Sequence, residues 1–93
     1  MISKEEFDLI QPGDRVQIVY KWVGGGHNSE GLMDKWLGQI MTVSSRDQRD
    51  LMMEEDRHDR DGFAGLSGGW FWKRNMIERV IYDKVEISLD SVF

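Results

Sequence analysis

Between Glu54 and Asp61 the chain sets five carboxylates, Glu54, Glu55, Asp56, Asp59 and Asp61, around one imidazole, His58. Such a run offers hard oxygen donors to calcium or magnesium, or a carboxyl pair to general acid–base catalysis. Its spacing serves neither purpose. A calcium loop needs carboxylates at alternate positions, a glycine, and a bidentate glutamate at its end. Asp59, Asp61 and Gly62 supply only a fragment of that pattern, and Arg57 and Arg60 would neutralise the site. No apolar neighbour in the sequence raises the pKa of one carboxyl, as an acid catalyst requires. The expectation is a solvated loop whose charges pair among themselves. His27 and His58 lie in different polar stretches, cysteine is absent, and no serine stands in a nucleophile elbow, so no hydrolytic triad is expected. Gly24, Gly25 and Gly26 suggest a phosphate loop, but the Lys-Ser/Thr ending and the long helix that must follow are missing. These residues predict no catalytic group, no metal, no cofactor and no enzymatic activity.

The aromatic residues are better candidates. Tyr20, Trp22, Trp36, Trp70 and Trp72 fall on strands or turns that a small fold brings together, and a chain this short cannot bury five large rings completely. The plain reading is that they cap one end of the core. The functional reading is a tryptophan-lined groove that receives a peptide or a protein loop. Phe63 and Leu66, apolar residues in a polar stretch that also holds His58, add to that groove as protein contacts. Lys21, Lys35, Lys73 and Arg74 lie near Trp22, Trp36 and Trp72, the basic-plus-stacking combination that single-stranded nucleic acid prefers. The net charge of −5 opposes that alternative.

The elements that must position these side chains are short. Ser3 and Glu6 have capping-box spacing for a helical turn over 3–10, with Glu6 reaching back to the cap, and Pro12-Gly13 ends it. From Arg15 to Trp22 the chain alternates, with Val16, Ile18, Tyr20 and Trp22 on one face and Arg15, Gln17 and Lys21 on the other. Leu32 to Leu37 suits one helical turn closed by Gly38 in a left-handed conformation. Strands over 39–45 and 51–55 flank the turn SRDQRD, with a bulge in the first because Ile40, Met41 and Val43 cannot share one face. Trp70 and Trp72 share a face opposite Phe71, Lys73–Ile77 is a tight turn, and strands follow over 78–82 and in the tail. The pattern predicts a mostly β fold, a small barrel or sandwich of five to six short strands with single helical turns. It forms one domain over 1–93, with its core in 12–82 and an extra C-terminal strand in 83–93.

The absence of cysteine suits a reducing compartment. The charged N-terminus is no signal peptide, and no apolar run of about 20 residues is present to span a membrane. The expectation is a cytoplasmic protein, monomeric or a small homo-oligomer.

GDRVQIV at 13–19, GLMDKWLGQIMTV at 31–43, MEED at 53–56 and GGWFWKRNMIERVI at 68–81 together resemble a small domain found in uncharacterised proteins of phages and prophages of Gram-positive bacteria. That domain is similar in turn to the Mib/Herc-type SH3-like barrels. The resemblance covers most of 12–82 and implies an SH3-like barrel. Two features depart from it: RHDRDGFAGLS, residues 57–67, is inserted after the acidic segment, and the tail beyond Asp83 is longer. Loop insertion is tolerated at a cost that grows only logarithmically with length, which leaves the inserted residues free to serve a partner. With the acidic charge, the resemblance implies a phage-encoded accessory protein that binds a protein partner in the host cytoplasm and inhibits or redirects a host or defence factor. A nucleic-acid-binding barrel and a structural component of a phage complex are the alternatives.

Overall fold

The computed structural model describes residues 2–82; the strand expected in 83–93 lies outside them. The Ser3 hydroxyl accepts the Glu6 N–H at 3.1 Å and starts helix α1, Lys4–Asp8. The Glu6 carboxylate, expected to reach back to the cap, takes the Tyr82 hydroxyl at 2.7 Å instead and ties α1 to the last strand. Five residues of helix are not stable alone in water. This one is held by burial of Phe7 and Ile10, and by Arg46, which the sequence reading left in a turn. Arg46 Nη1 donates to Phe7 O at 2.7 Å and Ile10 O at 2.9 Å, with the guanidinium 4.9 Å from the centre of the Phe7 ring.

Four antiparallel strands form the sheet: β1 Arg15–Ile18, β2 Ile40–Arg46, β3 Leu51–Met53 and β4 Ile77–Ile81, in the order β3-β2-β1-β4. Val16 is opposite Met41 on one side and Val80 on the other, so the central strand carries the middle of the core. Around it pack Ile2, Phe7, Ile10, Ile18, Val19, Met33, Val43, Leu51, Met53, Trp72, Met76 and Ile77, all buried. Each such side chain contributes about 1.5–3 kcal/mol by leaving water.

Two features correct the expected strand pattern. Opposite β1, β4 carries an extra residue, because Gln17 pairs with Arg79 but Ile18 with Ile77. β1 therefore stops at Ile18, Val19 turns inward, and its N–H bonds Met76 O while its carbonyl accepts from Gly38. Tyr20, expected on the inner face, points out. Gln17, expected outside, is buried: its Nε2 donates to the Tyr20 hydroxyl and to Gly38 O, and its Oε1 accepts from Arg79 Nε. The clash expected among Ile40, Met41 and Val43 does not arise, because residues 40–42 pair with β1 in regular register and simple alternation leaves Ile40 outside while Met41 and Val43 are buried; a register shift does occur in this strand, but between Val43 and Ser45 on the β3 side. Gly38 has φ +75°, the left-handed turn expected of it, beside the 3-10 turn Asp34–Trp36.

Five or six strands closing a barrel were expected; the described residues form four strands in a sheet that does not close. Residues 70–72 come nearest to a fifth strand. Trp72 exchanges both backbone hydrogen bonds with Leu51, at 2.7 and 2.9 Å, on the outer edge of β3. The chain then turns at once through the 3-10 turn Arg74–Met76 into β4, so the contact is a single bridge. No helix among the described residues is long and apolar enough to cross a membrane.

Candidate functional site

Three of the four indoles donate to an aspartate. Trp22 Nε1 reaches Asp34 Oδ1 at 2.8 Å, Trp36 Nε1 reaches Asp59 Oδ2 at 2.7 Å, and Trp72 Nε1 reaches Asp56 Oδ2 at 2.9 Å. Trp70 uses its backbone N–H, which donates to the same Asp56 Oδ2 at 3.0 Å, while its indole N–H is buried with no partner among the described residues. Trp22 is the link between these pairs. His27 stacks on it in parallel at 5.1 Å, and Trp72 lies 6.3 Å away on a tilt. An indole has one donor, and a half-buried ring keeps that donor satisfied most strongly with a charged acceptor.

The acidic run is only in part the solvated, self-paired loop that the sequence suggests: Glu54 with Arg57 and Asp61 with His58 pair within it at the surface, while Asp56 and Asp59 do not. Asp56 is fully buried. Burial raises its pKa above the usual carboxylate range and the Asp59 charge adds to this, against the lowering effect of the Trp70 and Trp72 N–H groups. The apolar surroundings that the sequence does not show come from residues 70–72, more than a dozen positions away. Glu55 holds Thr42 at both its backbone N–H and its hydroxyl, at 2.7 and 2.9 Å. Asp59 also accepts from Lys35 at 3.0 Å. Asp61 accepts from Gly68 N at 2.9 Å and from His58 Nδ1 at 2.8 Å; the backbone donor first, then the imidazole, lowers its pKa. Each carboxylate thus faces a separate partner.

Held in this way, residues 57–69 form a compact loop. Arg60 N bonds Gly68 O, Gly62 N bonds Leu66 O, Phe63 N bonds Arg60 O and Leu66 N bonds Phe63 O, all within 2.8–3.0 Å. Arg60 lies over the rings of both Trp70 and Phe71 at 5.6 Å. At the tip, in the 3-10 turn Phe63–Gly65, Ala64 adopts φ +49° and ψ +33°. That left-handed conformation costs a residue with a Cβ about 1–2 kcal/mol. On either side of it Phe63 is 37% and Leu66 43% exposed.

The structure separates the residues that the sequence grouped. Trp72 has no exposed surface and belongs to the core. Trp22, Trp36 and Trp70 are partly buried against that core. Tyr20 is 67% exposed, but it lies over Gly38 and is tied to Gln17, outside the set of contacts that links Trp22 with Trp72. His58 is exposed at the root of the loop. Phe71, which the sequence reading passed over, is 47% exposed beside Arg60; its alternation against Trp70 and Trp72 was the available signal. The basic residues disperse. Lys35 is bonded to Asp59, Lys73 lies 3.9 Å from Asp50, Arg74 donates to Ile2 O, and Lys21 is exposed. Two clefts lie away from the tryptophans: about 690 Å³ between α1 and the β2–β3 turn, and about 580 Å³ beside Leu9 and Tyr82.

Comparison of the chain with protein-family models, with curated proteins and with solved structures gives no match.

Proposed function

We propose that this chain is a non-enzymatic protein-binding module whose contact arm is the 57–67 loop, with Phe63 and Leu66 entering an apolar pocket of a partner. One observation carries the reading: two apolar side chains are held out on either side of a strained Ala64 by a loop ordered through its own hydrogen bonds. Strain of that kind persists where the surroundings enforce it, and a rigid arm loses little entropy on docking. Phe71 and Arg60, stacked beside the arm, extend the contact area. The Leu51–Trp72 bridge is the seam along which we read the sheet as an SH3-like barrel. The resemblance to phage domains and the acidic charge supply the rest of the proposal: a phage accessory protein, acting in the host cytoplasm on a host or defence protein. The scattered, mostly engaged basic side chains favour this reading over a nucleic-acid barrel.

The test is a paired capture with the wild-type chain and Phe63→Ser/Leu66→Ser. A partner held by the wild type and lost by a variant whose melting temperature is within about 3 °C supports the arm, since exposed substitutions change stability little. Equal capture by both chains rejects it. Binding of single- or double-stranded DNA at about 50 mM salt, where phosphate contacts are strongest, would favour the nucleic-acid alternative instead.

A further inference from the structure

We infer that Asp56 is a proton-controlled latch for the loop that joins β3 to Trp70, holding the loop closed when neutral and favouring its release when charged. This inference concerns loop opening and does not depend on the loop having a partner.

The geometry is asymmetric. Asp56 Oδ2 accepts both N–H groups, from Trp70 N and Trp72 Nε1, and these bonds persist whether or not the other oxygen carries a proton. Oδ1 is buried with no donor among the described residues. It lies against Gly69, where an added Cβ would come within 2.7 Å of it and within 2.9 Å of the Asp56 carbonyl oxygen. A negative charge on this carboxyl thus has both of its close donors on one oxygen, with only a weaker contribution from Asp56's own backbone N–H, and protonation at Oδ1 leaves both bonds to Oδ2 in place. Burying a half-satisfied charge is unfavourable, and the relief is exposure to water.

Asp56 stands where the loop begins, and Gly69 and Trp70, which cover it, stand where the loop returns. Opening the loop is the local motion that would rehydrate the carboxyl without unpairing β1 from β2. The charged groups around it do not offset the effect. Asp59 is a like charge whose own oxygens are taken by Lys35 and Trp36, Arg57 pairs with Glu54 at 3.8 Å, and Arg60 lies over the Trp70 and Phe71 rings. The raised pKa of Asp56, caused first by burial, agrees with this arrangement.

The sign follows from linkage. The closed state holds its proton to higher pH than the open state, so opening releases a proton. The opening equilibrium therefore rises with pH above the ordinary carboxyl value of 3.8, by up to about tenfold per pH unit, and levels off once Asp56 is charged in the closed state as well.

The test is amide hydrogen exchange of the full chain by NMR between pH 4 and 7, corrected for intrinsic rates and read at Gly62, Phe63 and Leu66. The wild type should show an opening constant that rises and then levels, and Asp56→Asn, which keeps an acceptor for both donors, should show a flat one. In the wild type alone, the Trp72 indole N–H resonance should titrate over the same range. A loop opening that does not change with pH, a slope that survives in Asp56→Asn, or a Trp72 indole that does not titrate overturns the latch. If Asp56→Asn does not fold, the indole titration decides.

Discussion

Gly69→Ala is a small change with a large expected effect. Gly69 is buried and its φ is outside the left-handed region, so backbone freedom is not what the position requires. Space is. An added Cβ would sit 2.7 Å from Asp56 Oδ1, 2.9 Å from Asp56 O and 3.1 Å from Asp56 Cγ. The carbonyl oxygen cannot rotate away, and the carboxyl is held by Trp70 N and Trp72 Nε1. Overpacking of this kind costs about 1–3 kcal/mol. If Asp56 shifts to relieve it instead, at least one of these hydrogen bonds is lost, at a similar cost of about 1–3 kcal/mol. Reduced freedom of the unfolded chain returns about 0.4–1 kcal/mol. The net loss is about 1–2 kcal/mol, a sizeable part of the stability of a small domain. In urea unfolding followed by tryptophan fluorescence, the midpoint should fall by about 1 M at unchanged slope. Gly62→Ala is the control. Its Cβ would meet nothing within 4 Å, so only the φ of +81° opposes the substitution, and the same reduced freedom of the unfolded chain leaves a net loss of about 0.5–1 kcal/mol. A Gly69→Ala midpoint equal to the wild type, or above that of Gly62→Ala, would show that the contact between residues 56 and 69 is not tight.

Arg46→Met should lower the melting temperature by about 10–15 °C, because two charge-assisted bonds, to the carbonyl of Phe7 in α1 and to that of Ile10 just beyond it, together worth about 2–3 kcal/mol, are lost; calorimetry measures this. Ala64→Gly should stabilise the chain by about 0.5–1 kcal/mol, since relief of the left-handed conformation exceeds the added freedom of the unfolded chain, and a matched urea midpoint rejects this.

The sequence made the local structure legible wherever a local cause decides it. Ser3 caps α1 because a hydroxyl there needs only the Glu6 N–H. Gly38 sits left-handed because the 3-10 turn must close. Met41 and Val43 share the buried face by simple alternation, and Ile40 lies outside, so the bulge inferred from these three residues was not needed; the register shift falls after Val43 instead. What failed depends on distant pairing. The end of β1 at Ile18 is set by an extra residue in β4, about sixty positions later, and the burial of Gln17 by Arg79 and Gly38. In the candidate site, the exposure of Phe63 and Leu66 in a polar stretch was legible from composition. The pairing of Asp34, Asp56 and Asp59 with the indoles was not, because period and propensity carry no record of which carboxylate meets which ring. Asp56 looked solvated, like its neighbours in the run, for the same reason. Its apolar cover arrives from Gly69 to Trp72 only once the chain has folded back.

The central claim is that residues 57–67 form a rigid arm and not a slack insertion. The heteronuclear NOE of backbone amides tests it most directly. Arg60 to Leu66 should give values like those of β2, with order parameters of about 0.85. Values that collapse across the loop, with order parameters below about 0.6 while β2 stays rigid, would contradict it.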